Sequence, residues 1–170
     1  VSGEEYPRAL MGVIAHSRQT FLDAQYYRTL WELFDRRKQS GKRPPLDPAL
    51  AALGPCLDGK LPVIFEADTR DEIGRALAFA AEFNLKPILH GGRDAWKVAD
   101  RLAKEGVPVL LRLSERPGRP EGSAPLPQRI EQEQQHRKKD DHRCASLLAE
   151  EGVRFAFSTQ GVAADKFRAA

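Results

Sequence analysis

Four short apolar runs in this sequence each end in polar or ionisable side chains. Side chains of these types can bind a metal ion, carry a proton or hold a polar ligand. They are Glu66 and Asp68 after the first run, His90 after the second, Arg112 and Ser114 after the third, and Ser158, Thr159 and Gln160 after the fourth. If the runs are parallel strands, their carboxyl ends meet at one edge of a sheet, which is where ligands bind in α/β folds.

His90 is the most distinctive of these residues, because it ends the apolar run Pro87-Ile88-Leu89. Its imidazole could be a neutral metal ligand or a proton carrier, or it could simply be hydrogen-bonded to backbone at the end of a strand. Glu66 could be a general base, an oxygen ligand, or the partner of His90 or of a nearby arginine. The remaining histidines are expected to be solvated on helix or loop surfaces, and they are His16, His136 and His142.

The elements that would position these groups alternate along the chain. A helix is predicted from Pro7 to Lys38 and a short one from Asp47 to Leu53. After them, strands are predicted at Leu61 to Phe65, which we expect to be buried on both faces, and at Lys86 to Leu89, Val107 to Leu113 and Val153 to Phe157. Helices are predicted between the strands, without a hairpin signal. This order is typical of βαβ units, so the sequence predicts an α/β fold with a parallel sheet.

Local signals mark the helix ends in this alternating part. Thr69 and Glu72 have the spacing of a capping box, in which hydroxyl and carboxylate satisfy the backbone N–H groups at a helix start. Gly106 is placed to end a helix as a C-terminal glycine. Gly91-Gly92 precede a helix and could hold a phosphate on free N–H groups, but a tight turn is the favoured interpretation.

The stretch from Ser114 to Lys139 interrupts the alternation. It is first rich in Pro and Gly and then strongly polar. A loop of this length is uncommon in a compact domain, so we expect either a functional active-site loop or a locally disordered segment. The favoured interpretation is a mobile surface loop that carries no chemistry.

Composition limits what the chain can be. With 170 residues it is shorter than a complete (β/α)₈ barrel, which needs ~250 residues. The net charge of +3 comes from basic residues dispersed among acids, so nucleic acid is not expected as a partner. Cys56 and Cys144 are expected to be free thiols, and a catalytic cysteine is not indicated.

No signal for membrane insertion or export is found in these residues. No apolar stretch approaches the ~18 residues of a membrane-spanning helix, so a membrane location is not expected. The first residues, Val1-Ser2-Gly3-Glu4-Glu5, lack the basic and apolar regions of a signal peptide. A soluble, cytoplasmic protein is the default expectation, although a longer parent could be exported.

The segment from Leu61 to Leu111 resembles the imidazolonepropionase-related amidohydrolases. It shares an apolar strand, a short acidic turn, the helix pattern RAL-x-x-A-x-EF-x-L and a strand that ends at His90. The upstream LMGVIAHSRQTFLDAQYY resembles the fourth barrel helix of that family, and RFAFSTQG resembles its eighth strand. The resemblance therefore implies that residues 1–170 are the C-terminal half of a (β/α) barrel, a partial TIM-type barrel with four parallel strands.

The resemblance also implies a metal-dependent hydrolase that cleaves carbon–nitrogen bonds of amides, cyclic amides or peptides. A divalent metal, zinc above all, is the implied cofactor, and a small molecule is the implied substrate. His90 corresponds to the metal-binding histidine of the sixth strand, Glu66 to the histidine of the fifth strand, and Gln160 to the strand-eight aspartate. The paired histidines of the family's first barrel strand would lie upstream of Val1, so residues 1–170 do not contain them.

These departures lead to two expectations. The chain alone is expected to be an inactive fragment that lacks a complete metal site, and because of Glu66 and Gln160 even the full-length parent is expected to bind metal weakly or not at all. Alternatively, it is a non-catalytic βα module for a small anionic ligand, or a scaffold with a degenerate metal site. An isolated half barrel exposes two strand edges and the inward face of its sheet, so we expect a homo-oligomer, most simply a dimer.

Overall fold

The computed structural model describes residues 9–37, 41–113 and 127–160. These residues fall into two compact units. The first has its described residues within Val1–Pro62 and Phe79–Lys86, and the second has them within Val63–Ala78 and Pro87–Ala170.

The first unit is helical. Its helices are α1 (Leu10–Arg36), α2 (Pro48–Ala52) and α3 (Gly54–Leu57). The predicted long helix and short helix are confirmed, while Pro7 and Lys38, the predicted ends of the long one, lie outside the described residues. The Asp47 carboxylate caps α2 by accepting from the N–H groups of Ala49 and Leu50 at 3.0 and 3.1 Å.

The second unit contains a parallel sheet of four strands in the order β1-β2-β3-β4. The strands are β1 (Val63–Ala67), β2 (Pro87–Gly91), β3 (Val109–Arg112) and β4 (Phe155–Ser158). They are connected by α4 (Arg70–Glu82), by a 3₁₀ turn (Ala95–Val98) followed by α5 (Ala99–Glu105), and by α6 (Gln128–Glu150). The predicted α/β fold is confirmed: a four-stranded parallel sheet flanked by helices, as in a partial (β/α) barrel.

One face of this sheet forms the core. Leu89 and Val109 of the strands are at most 1% exposed and pack with Ile73, Leu102 and Leu148 of the helices. Such burial of aliphatic side chains, each worth about 1.5–3 kcal/mol, is the main force that holds helices against a sheet.

None of the helices described in this unit packs on the opposite face of the sheet. Ile64 of β1 is 59% exposed there, so the expectation that the first strand is buried on both faces is wrong. Apolar runs indicate two-sided burial only when both faces of a sheet are covered, and in this unit the helices cover one.

The predicted loop from Ser114 to Lys139 is partly wrong. The helix α6 begins at Gln128, so the polar part of that stretch is helical, and residues 114–126 lie outside the described residues. Glu, Gln, Arg and Lys are good helix formers, and they can build an exposed helix without an apolar stripe. Among the described side chains of α6, the buried ones are those of Cys144 and Leu148, in its second half.

The predicted helix-end signals are confirmed. Thr69 Oγ1 accepts from the Glu72 N–H at 3.3 Å, and Glu72 Oε2 accepts from the Thr69 N–H at 2.9 Å. Gly106 ends α5 with φ of 67°, the left-handed region that glycine adopts without strain. No helix of the described residues is long and apolar enough to cross a membrane.

Gly92 is a position where an added side chain would collide with the core. Its φ is +66°, and a Cβ built there would lie 2.7 Å from Val109 Cγ1, inside the core. Gly106 has nearly the same φ of +67° but open space around it. The two glycines therefore separate the cost of the backbone conformation from the cost of the contact.

We predict that Gly92→Ala lowers the free energy of unfolding clearly more than Gly106→Ala. The control substitution should cost about 1–2 kcal/mol, the penalty of the left-handed conformation alone, and Gly92→Ala should add an overpacking cost of about 1–3 kcal/mol. Urea denaturation followed by circular dichroism measures both. Equal losses in the two variants would contradict the close packing of β2 against β3.

Candidate functional site

The register of the sheet brings the predicted polar residues to one edge. Glu66 of β1 pairs with His90 of β2, and Arg112 of β3 pairs with Ser158 of β4. These four residues lie at the carboxyl ends of parallel strands and alternate with the core residues, so they occupy the face without helices. We call this group, together with Asp68 and Arg93, the rim.

Arg112 connects the third strand to the first. Its Nη2 donates to a carboxylate oxygen of Glu66, and its Nη1 donates to Asp68 Oδ2 at 3.3 Å. Arg93 Nη2 lies 3.6 Å from the same Asp68 oxygen. The side chains of Arg112 and Asp68 are 16% and 22% exposed, whereas that of Glu66 is 65% exposed. Of the two ion pairs of Arg112, the one with Asp68 is therefore better shielded from solvent than the one with Glu66.

The position of Asp68 depends on glycine. A Cβ at Gly91 would lie 2.6 Å from Asp68 Oδ1, so only glycine leaves room for this carboxylate. The backbone also connects the two loops, because the Asp94 N–H donates to the Asp68 carbonyl at 2.8 Å and the Gly92 N–H donates to the Ala67 carbonyl at 2.9 Å. The Gly91-Gly92 pair is thus a tight turn rather than a phosphate loop, as one of the two interpretations predicted.

The capping box of α4 holds the same segment from its other side. Glu72 Oε2 accepts from the Asp68 N–H at 2.9 Å in addition to that of Thr69. The backbone hydrogen bond from Thr69 is the largest cause that lowers the pKa of Glu72. Since the pKa in the folded protein is lowered, this stabilisation is present above the unfolded pKa of about 4.3 and is lost as the pH falls through the folded value.

His90 makes a side-chain hydrogen bond across the sheet. Its Nε2 lies 3.0 Å from Ser158 Oγ, and the backbone N–H of Gln160 donates to the same hydroxyl at 3.4 Å. The partner of His90 is thus a side chain on β4, not the neighbouring backbone that the alternative interpretation named. Gln160 is exposed and lies two residues after β4, at the same end of the sheet as Glu66 and His90.

Two buried polar atoms at the rim have no hydrogen-bond partner in the part of the chain that the structure describes. They are Asp68 Oδ1 and Arg112 Nε. A buried polar atom without a partner costs about 1–3 kcal/mol, so groups of this kind usually need a specific reason. Here the ion pair between the two residues holds both atoms in place.

The residues of this rim do not by themselves fit a divalent cation. Within residues 9–37, 41–113 and 127–160, no three side chains of His, Cys, Asp or Glu converge as ligands. The carboxylates of Glu66 and Asp68 are hydrogen-bonded to Arg112, which leaves His90 as the one predicted ligand without an arginine partner. A cation would have to displace a guanidinium to reach either carboxylate.

The other predicted residues have simpler outcomes. His16 and His136 are exposed on α1 and α6, as predicted, while the side chain of His142 and the position of Ser114 lie outside the described residues. Both cysteines are free, and burial raises the pKa of the Cys144 thiol, which fits a core residue rather than a nucleophile. Arg93 was not predicted as a site residue. Its position directly after the glycine turn was the available signal.

Comparison with known proteins agrees with the fold. The structure is similar to the crystal structure of an amidohydrolase from Thermotoga maritima MSB8, with a TM-score of 0.72 and 21% sequence identity. The match covers 92% of this chain and 37% of the other, so the chain spans little more than a third of that protein. The chain matches no protein-family model and no curated protein. At this identity the likeness shows a shared fold.

Proposed function

We propose that residues 1–170 are the C-terminal half of an amidohydrolase-type barrel, of the imidazolonepropionase-related kind. In this proposal the complete barrel hydrolyses carbon–nitrogen bonds of amides, cyclic amides or peptides. The rim carries the proposal, because Glu66, His90 and Arg112 lie at the carboxyl ends of parallel strands, and Gln160 follows β4 at the same end of the sheet. The likeness to the Thermotoga amidohydrolase, which covers 37% of that chain, supports a partial barrel.

His90 would be the proton-carrying group of the proposed site. The hydrogen bond to Ser158 Oγ fixes the orientation of its ring, which positioned acid–base groups require. Gln160, at the position of the family aspartate, has an amide that cannot accept a proton at neutral pH. For this reason we propose that the chain alone is inactive and that other residues of the barrel complete the site.

A divalent metal belongs to this proposal only for the complete barrel. Zinc is the ion that the family resemblance names, and histidines on a first strand would supply ligands that this chain does not. Because Arg112 is bonded to both nearby carboxylates, no step of the proposal depends on a metal bound by Glu66 or Asp68.

The alternative is a non-catalytic module that binds a small anionic ligand, or a scaffold with a degenerate metal site. The observation in its favour is the same ion pairing, which takes up the carboxylates of the rim. Stabilisation by small carboxylates in a thermal-shift assay, without any hydrolysis by the complete barrel, would favour it.

Activity of the complete barrel tests the hydrolase proposal. We predict that the full-length protein containing this chain hydrolyses at least one member of a panel of N-acyl amino acids, hydantoins, imidazolones and dipeptides. His90→Ala should lower kcat/KM by about a hundredfold or more, since acid–base catalysis contributes about 10²–10⁴. His136→Ala, at an exposed histidine of α6, should leave it unchanged. No hydrolysis, or equal rates in both variants, would refute the proposal.

We also propose that the chain on its own forms a homodimer through the sheet face without helices. Ile64, which is 59% exposed on this face, and the partly buried Ile88 and Leu110 give the driving force. A two-fold dimer would cover this face with its own copy.

Sedimentation velocity at micromolar concentration tests the dimer. We predict a dimer for the 170-residue chain and a shift toward monomer for Ile64→Glu, which places a charge on that face. Leu46→Glu, at an exposed leucine of the helical unit, is the control and should leave the dimer intact. A monomeric wild-type chain would contradict the proposal.

A further inference from the structure

The rim contains a cation of its own. The Arg112 guanidinium lies among carboxylates on another strand: it donates to Glu66 and, at 3.3 Å, to Asp68. Its side chain is 16% exposed, although arginine usually extends into water. To reach β1 it extends across β2, since β1 and β3 are not neighbours in the sheet.

We infer that Arg112 takes the place of a divalent metal ion at this rim, holding Glu66 and Asp68 by charge and hydrogen bonds. The inference is separate from hydrolysis, because it concerns which cation the two carboxylates bind. It would hold for a catalytic barrel and for a binding module alike.

The surroundings of Asp68 support this role. Gly91 leaves the space that its carboxylate occupies, and the Asp94 N–H holds its backbone carbonyl. Arg93 adds a second positive charge 3.6 Å from Asp68 Oδ2. An ordinary surface ion pair forms without a glycine or loops that hold its carboxylate in place. A fixed binding position for a cation needs its carboxylate held in this way.

Charge explains why the two cations exclude each other. A guanidinium keeps its positive charge in proteins and so cannot give way to a metal by losing a proton. A divalent ion beside the same carboxylates would be repelled by Arg112 and would remove its hydrogen bonds. The fold thus keeps carboxylates at the carboxyl ends of its strands while supplying their positive partner from β3.

Removal of the guanidinium should therefore open the rim to a metal. We compare thermal unfolding of the wild-type 170-residue chain with that of Arg112→Met, each with and without zinc chloride. Methionine keeps most of the side-chain length but carries no charge. Arg112→Lys keeps a charge at the position, and Arg101→Met removes an arginine that is 44% exposed and paired with Glu105. Both serve as matched controls.

We expect Arg112→Met to lower the unfolding temperature by about 2–4 °C or more and zinc to restore at least half of that loss. Zinc should shift the wild type, Arg112→Lys and Arg101→Met by less than about 1 °C. Adding Asp68→Asn to Arg112→Met should abolish the rescue. If Arg112→Met does not fold, Arg112→Gln, which keeps hydrogen-bonding groups without charge, serves for the same comparison.

The inference is overturned in either of two cases. One is a wild-type chain that retains stoichiometric zinc after dialysis, measured by mass spectrometry of the metal. The other is a folded, uncharged variant at position 112 that zinc stabilises no more than the wild type. Both results concern metal binding alone, so they leave the hydrolase proposal to the activity of the complete barrel.

Discussion

The parallel register of the four strands is the constraint on which the site depends. Because every strand runs in the same direction, each delivers its last residues to one edge of the sheet. Alternation along the strands then sends core residues to the helices and Glu66, His90, Arg112 and Ser158 to the other face. A slip of one residue would reverse this arrangement, and in β1 or β3 it would place the charge of Glu66 or Arg112 on the core face.

Much of this arrangement could be predicted from the sequence, because its signals are local. The apolar runs, the capping box of Thr69 and Glu72 and the C-terminal glycine Gly106 are each determined by neighbours in the chain. The order of strands and helices then follows from the handedness and direction of βαβ units. Five of the six rim residues could be named for the same reason, since they lie at or next to the carboxyl ends of the predicted strands; Arg93 could not.

The remainder depends on contacts that are distant in sequence. Arg112 and Glu66 are 46 residues apart, and His90 and Ser158 are 68 apart, so no local pattern specifies these partners. The exposure of Ile64 depends on what covers the sheet, which an apolar run does not reveal. The first half of α6 lacks an apolar stripe, so the periodicity that indicates most helices was absent, and helix propensity alone was the signal.

These distant contacts also change the chemical meaning of the residues. Glu66 and His90 are neighbours in the register and could together suggest a metal site. The structure instead pairs Glu66 with an arginine and His90 with a serine. Residue types at strand ends therefore limit the possible chemistry of a rim, and their partners decide among the possibilities.

A double-mutant cycle between Arg112 and Asp68 tests this account most directly, because it measures whether β3 and the end of β1 meet at one rim. With Arg112→Met, Asp68→Asn and the double variant, we predict a coupling free energy of at least about 1 kcal/mol in urea denaturation. The exposed pair Arg101 and Glu105 should give only about 0.3–0.5 kcal/mol. Losses at Arg112 and Asp68 that add to within about 0.3 kcal/mol would contradict the common rim.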